Sequence, residues 1–151
     1  MNRIGLGKET YLGIALKQLI TAQKVSCTLT MEDKVHGTTE SIKLPRFLFV
    51  TCMSHRYEGG GFMFCPPAVD SDGVLDLCAV GNISKGLVLL ALPTAFFGKH
   101  YFVKGIDAYT ATEMSISASA PLWVHTDGEV TRRSHGFRVE CLPAAIRMIT
   151  P

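Results

Sequence analysis

The sequence predicts a mainly β domain, an antiparallel β-sandwich with two accessory helices. Three observations carry that expectation: hydrophobic alternation with a period of two along most of the chain, turn signals rich in Gly, Asp and Pro between the alternating runs, and a helical period confined to two places. The 151 residues, 47% of them hydrophobic, fit one domain. A domain of about 150 residues buries roughly 68–70% of its unfolded surface, enough to fold without disulfide or metal staples.

Leu12, Ala15, Leu16, Leu19 and Ile20 recur at three- and four-residue spacing, so a helix is expected over Lys8 to Gln23. The period then becomes two. Val25, Cys27, Leu29 and Met31 alternate with Ser26, Thr28 and Thr30 as a half-wet strand requires, Glu32-Asp33-Lys34 reads as a turn, and Val35 to Ile42 as the returning strand. Phe47 to Cys52 is apolar on both faces and suggests a central strand. Gly59-Gly60-Gly61 reads as a bulge or tight bend, and Pro66-Pro67 stops any ladder. Leu75 to Val80 resumes a strand. Ser84 is placed to cap a helix through Leu87, Leu90 and Ala91, with Pro93 kinking or splitting it and Gly98 closing it. Strands are expected again around Met114 to Ala118, Leu122 to Thr126, Gly136 to Cys141 and Ala145 to Ile149.

Several function classes are excluded. Cys27, Cys52, Cys65, Cys78 and Cys141 are odd in number and form no Cys-x-x-Cys, which argues against a zinc ribbon, a redox motif or a disulfide framework and for a reducing, cytoplasmic setting. A balance of 15 basic against 13 acidic residues, with no basic block beyond Arg132-Arg133, makes nucleic acid an unexpected partner. The histidines show no paired ligand spacing. Ser54-His55 lacks the surroundings of a nucleophile motif. Met1 to Gly7 has no apolar signal core, and the longest apolar stretch, Leu87 to Phe97, is shorter than the roughly 20 residues of a spanning helix. That stretch is apolar all round, which fits a core helix first and the wall of a greasy pocket or a membrane-facing patch second.

Two turns concentrate carboxylates. Val69 to Asp76 holds three around Gly73, an ordinary Asp-Gly turn by spacing and an oxygen-rich cation site by composition; the calcium-loop pattern fails. Asp127-Gly128-Glu129 follows a strand, as hairpin turns do, and could equally hold a proton acceptor for a substrate hydroxyl. Spacing leaves both alternatives open.

Taken in order, Gly59-Gly60-Gly61-Phe62, Pro66-Pro67-Ala68, Asp72-Gly73-Val74-Leu75-Asp76, the capped apolar helix ending Phe96-Phe97-Gly98-Lys99-His100, and Asp127-Gly128-Glu129 form a series. The series resembles the C-terminal half of the diacylglycerol kinase and sphingosine kinase family, especially the bacterial lipid kinases. That resemblance implies a β-sandwich completing the cleft of an N-terminal nucleotide-binding domain, which carries Gly-Gly-Asp-Gly-Thr. No such motif occurs in these residues, so a piece of a longer kinase or a truncated relative is implied. It further implies ATP as co-substrate, a lipid alcohol as acceptor, Glu129 as proton acceptor, and Asp127 and Gly128 as cofactor-binding residues, with Asp127 also shaping the turn. A magnesium ion is implied at Asp72, with the carbonyls of Val69 and Val74. Ser71 stands where the family usually has a second Asp, and Ser54-His55 where it has Asn-Gly. A peripheral membrane contact and a homodimer fit the same picture. The competing expectations are a non-catalytic lipid-binding or regulatory module and the related nicotinamide dinucleotide kinase type.

Overall fold

The computed structural model describes residues 17, 19–58, 61–126 and 129–145. It contains β1 (Val25–Asp33), β2 (Thr38–Met53), β3 (Leu75–Gly81), α1 (Lys85–Ala91), two 3₁₀ segments (Leu92–Phe97 and His100–Phe102), β4 (Ile106–Ala111), β5 (Glu113–Thr126) and β6 (Glu129–Glu140). The strands form one six-stranded sheet in the order β4-β3-β2-β1-β5-β6, with antiparallel pairing throughout.

That order forces the sheet to fold over on itself. β4 and β5 are four strand spacings apart in the sheet, about 19 Å if it were flat. Yet Thr112 alone joins them, and such a connection reaches only about 7 Å. The Thr112 N–H donates to the Glu32 carbonyl at the end of β1 (2.9 Å), and the Cys141 N–H donates to the Thr112 carbonyl beyond β6 (2.9 Å). The inner face of the curl is a single apolar core. Leu29, Phe47, Leu77, Met114 and Ile116 meet there from four strands, and burying each side chain contributes about 1.5–3 kcal/mol. A mainly β, sandwich-like architecture is therefore built from one continuous sheet.

A second apolar layer covers the outer face of β2, β3 and β4. Leu48, Met53, Cys78, Val80 and Ile106 pack there against Val88 and Ala91 of α1 and against Cys65 and Ala68 of the preceding loop. All seven residues of β3 are consequently buried. Ser84 caps α1 as its position predicts, its Oγ accepting the Leu87 N–H at 3.2 Å. Pro93 lies in the first turn of the 3₁₀ segment that takes over, and Gly98 closes it in the left-handed region (φ 64°).

Other boundaries differ from expectation. The first turn falls at 34–37 with Gly37 at φ 66°, beyond the expected Glu32-Asp33-Lys34. The two strands expected around Pro45 are one strand, β2, and the register against β1 shifts where Leu44 and Phe47 flank that proline. Likewise β5 runs unbroken through Pro121, with its register against β6 shifting between Ser117 and Leu122. Proline cannot donate to the ladder, so it sits at these irregularities and bends a strand instead of ending it. Strand β4 was unexpected, and Ala145 is not in a strand. Most of the helix expected over Lys8 to Gln23, and residues 146–149 of the last expected strand, lie outside the described residues; residues 17 and 19–21 are helical. All five cysteines are free thiols, and no helix among the described residues is long and apolar enough to cross a membrane.

Candidate functional site

The residues on either side of Gly59 and Gly60, which lie outside the described residues, are held from three sides. Glu58 and Phe62 form an isolated antiparallel bridge, with the Glu58 N–H donating to the Phe62 carbonyl at 2.8 Å, and Gly61 takes φ 88° to close the turn. From the helical layer, the Met63 N–H donates to the Ala95 carbonyl (2.9 Å), and the Phe62 ring stacks on Phe96 with centroids 4.3 Å apart. From beneath, Tyr101 Oη donates to the Phe64 carbonyl at 2.7 Å, and His100 Nε2 lies 3.1 Å from the same oxygen. That oxygen can only accept, so His100 carries its proton on Nε2, leaving buried Nδ1 without a partner. Burial pushes the imidazole below its ordinary value, partly offset by the hydrogen bond to Phe64. The loop and the helical layer thus form one packed unit.

The β5–β6 hairpin ends beside this loop. Thr126 pairs with Glu129 and His125 with Val130. Asp127 and Gly128, expected to shape the turn, lie outside the described residues. The Glu129 side chain is exposed and makes no hydrogen bond or ion pair with another described residue. Although Glu58 is exposed, desolvation raises its carboxyl above its ordinary value, and the charges of His125 and His55 draw it back down. Glu58, His55 and His125 therefore share one electrostatic neighbourhood, which brings His125 of the hairpin near the residue that precedes the triple glycine. His55, discounted above as part of a nucleophile pair, belongs to it.

The second carboxylate turn leads into β3. Asp72 Oδ1 accepts the Val74 N–H at 2.9 Å, the local bond of an Asp-Gly turn, with Gly73 at φ 75°. Asp76, only 6% exposed, accepts no side-chain hydrogen bond among the described residues. Its carboxyl is raised by burial and then by the negative charge of Asp72. A buried carboxyl beside a second carboxylate is an oxygen-rich pair of the chemistry that hard divalent ions accept as ligands. Val69 is exposed. No group of three or more His, Cys, Asp or Glu side chains could hold a metal by itself among the described residues, so backbone oxygens would have to complete such a site. Cys65 joins the two turns: its Sγ donates to the Asp76 carbonyl (3.4 Å), and its thiol, pushed to about 11 chiefly by burial, feels both Asp76 and Glu58.

Sequence reasoning missed three participants, Glu58, His100 and Tyr101. Glu58 carried a usable signal, a carboxylate directly before the triple glycine. Tyr101 had none, and His100 entered only as the end of a motif without a role, because both roles depend on the Phe64 carbonyl, 36 and 37 residues away in the chain.

The folded-over sheet with its helical layer defines the class of β-sandwich-like domains. Residues 1–150 match the YegS C-terminal NAD kinase β-sandwich-like domain, and the chain belongs to that family. Among curated relatives, the "Probable lipid kinase YegS-like" of Xanthomonas euvesicatoria pv. vesicatoria (strain 85-10) is 35% identical over 98 residues, covering 64% of this chain and 31% of that protein. The "Diacylglycerol kinase" of Mycobacterium tuberculosis (strain ATCC 25618 / H37Rv) is 28% identical over 96 residues, covering 64% and 30%. The chain thus matches less than a third of the length of these relatives. The crystal structure of a diacylglycerol kinase from Bacillus anthracis str. Sterne superimposes with a TM-score of 0.55 at 21% identity, over 95% of this chain and 52% of that one, a likeness of fold.

Proposed function

We propose that this chain is the C-terminal portion of an ATP-dependent lipid kinase, transferring the γ-phosphoryl group to the hydroxyl of a diacylglycerol-like or sphingoid lipid. The names of the relatives support the substrate class. The observation that carries the reading is the exposed Glu129, whose side chain has no partner among the described residues, on a hairpin whose His125 acts electrostatically on Glu58 before the glycine loop. A carboxylate tied into an ion pair would be a poor proton acceptor; Glu129 is free to take one.

In the proposed step the lipid hydroxyl gives its proton to Glu129 as its oxygen attacks the γ-phosphorus. The bond from that phosphorus to the β-phosphate oxygen breaks, and ADP leaves. In the same reading Asp127 and Gly128 would bind the co-substrate. A nucleotide-binding domain supplies the other wall of the cleft, so the chain alone is expected to be nearly inactive. Magnesium, when bound, neutralises phosphate charge or braces the fold; in this chain Asp72 and the carbonyls of Val69 and Val74 would hold it, with Asp76 adding negative charge close by.

The test is transfer of labelled phosphate to diacylglycerol after the chain is joined to the nucleotide domain of a relative. Glu129→Gln, which keeps the shape and loses the base, is expected to cut the restored rate by about 100-fold or more. Restored activity indifferent to that change would remove Glu129 from the chemistry, and no restoration would favour a non-catalytic lipid-binding module.

A further inference from the structure

α1 and the 3₁₀ segment after it form one continuous helical path, with Ala91 and Leu92 both in the right-handed helical region. Its inner face is Val88, Ala91 and Ala95, packed on the sheet. Its outer face is also apolar: Leu87 is exposed, and Leu90 and Phe97 are each 75% exposed. Phe102, in the next turn, is 88% exposed. Side chains of this size so fully in water are costly, and several on neighbouring turns mark a contact surface, whereas scattered ones mean little.

The charged side chains carried by this stretch have one sign. Between Asp76 and Asp107 the chain contains no acidic residue, while Lys99 and Lys104 are exposed, each two residues beyond one of the protruding phenylalanines. Neither lysine makes an ion pair among the described residues. Protruding aliphatic and aromatic side chains rimmed by unpaired lysines complement a surface with an apolar interior and an anionic skin. The geometry points to this face, Leu87 to Lys104, as the place where the domain lies against an anionic lipid bilayer, with Leu90, Phe97 and Phe102 entering the acyl boundary and Lys99 and Lys104 meeting the headgroups. This inference does not rest on the kinase reading; it concerns binding, and its test involves no catalysis.

The 151-residue chain is sedimented with vesicles of phosphatidylcholine alone and with vesicles of phosphatidylcholine and phosphatidylglycerol at about 2:1. Binding to the anionic vesicles is expected to be about tenfold or more stronger and to fall as salt is raised, since each lysine near the surface adds to it and salt screens both. The pair Phe97→Ser, Phe102→Ser and the pair Lys99→Glu, Lys104→Glu are each expected to lose about tenfold or more. Their circular dichroism and melting should match the parent, because all four side chains point into solvent. In Phe97→Trp, brominated lipid should quench the added emission, while the Trp123 emission of the parent chain stays unquenched. Equal binding to both vesicle types, or variants that bind like the parent, would overturn the proposal. So would a parent dimer in gel filtration that the two serine changes turn into monomers, which would give the patch to a second copy of the chain.

Discussion

His100 is 3% exposed, packs against the Phe64 and Tyr101 rings, and leaves one ring nitrogen unpartnered. Protonating it would place an imidazolium in an apolar layer. Its folded-state pKa lies below the ordinary 6.5 of the unfolded chain, so on acidification the unfolded state takes up a proton before the folded one does. Stability is therefore fully present above about 6.5 and is lost as pH falls toward the folded value. We predict that the melting temperature of the native chain drops between pH about 7 and about 5, and that His100→Gln, which keeps a donor for Phe64, flattens that drop. An unchanged slope would mean that His100 titrates normally. Glu113 is another buried titratable group, 4% exposed, and it is held charged. Burial would raise its carboxyl, but Lys34, at 3.1 Å, and Arg138 hold it below its ordinary 4.5. Its contribution fails only at still lower pH, so the two effects occupy separate windows.

Among the elements, the turn at Gly98 shows how closely the helical layer sits on the glycine loop. A Cβ there would meet Pro66 Cγ at 2.7 Å and Met63 Sδ at 2.9 Å, at a φ of 64°. Gly98→Ala is expected to cost about 1–3 kcal/mol in denaturant unfolding. Gly86, inside α1 with nothing within 4 Å of its missing Cβ, should tolerate alanine and gain about 0.5–1 kcal/mol. A Gly98 variant as stable as the parent would show that the loop shifts freely. The α1 cap, the Pro93 transition and the Gly98 stop were legible because each depends on residues within a turn of one another. The continuity of β2 and β5 was not, because Pro45 and Pro121 look like breaks unless the partner strand is known. The apolar run Leu87 to Phe97 was ambiguous for a similar reason: periodicity cannot say which side of an all-apolar helix meets protein. The carboxylate turns were found by composition, whereas the nearness of His125 to Glu58 depends on the curl of the whole sheet.

At the scale of the molecule, the cation reading of the Asp72 turn can be separated from its turn role. Asp72→Ala removes the bond to the Val74 N–H under any condition, but a bound ion stabilises only the state that holds it. The variant should therefore lower the melting temperature more in magnesium than in chelator, and equal losses would leave Asp72 as a turn residue alone. The same scale governs assembly. β1 lies at the centre of the sheet, yet one of its neighbours is β5, so Cys27 waits for Ala118 and Glu32 for Glu113. As a nascent chain leaves the ribosome, β1 to β4 emerge with one rim of β1 still lacking its partner, a row of open amides flanked by Leu29 and Met31. Distant pairing of this kind slows folding and leaves a sticky seam during synthesis. For this protein the vulnerable interval in the cell runs from the translation of β4 until β5 closes that seam.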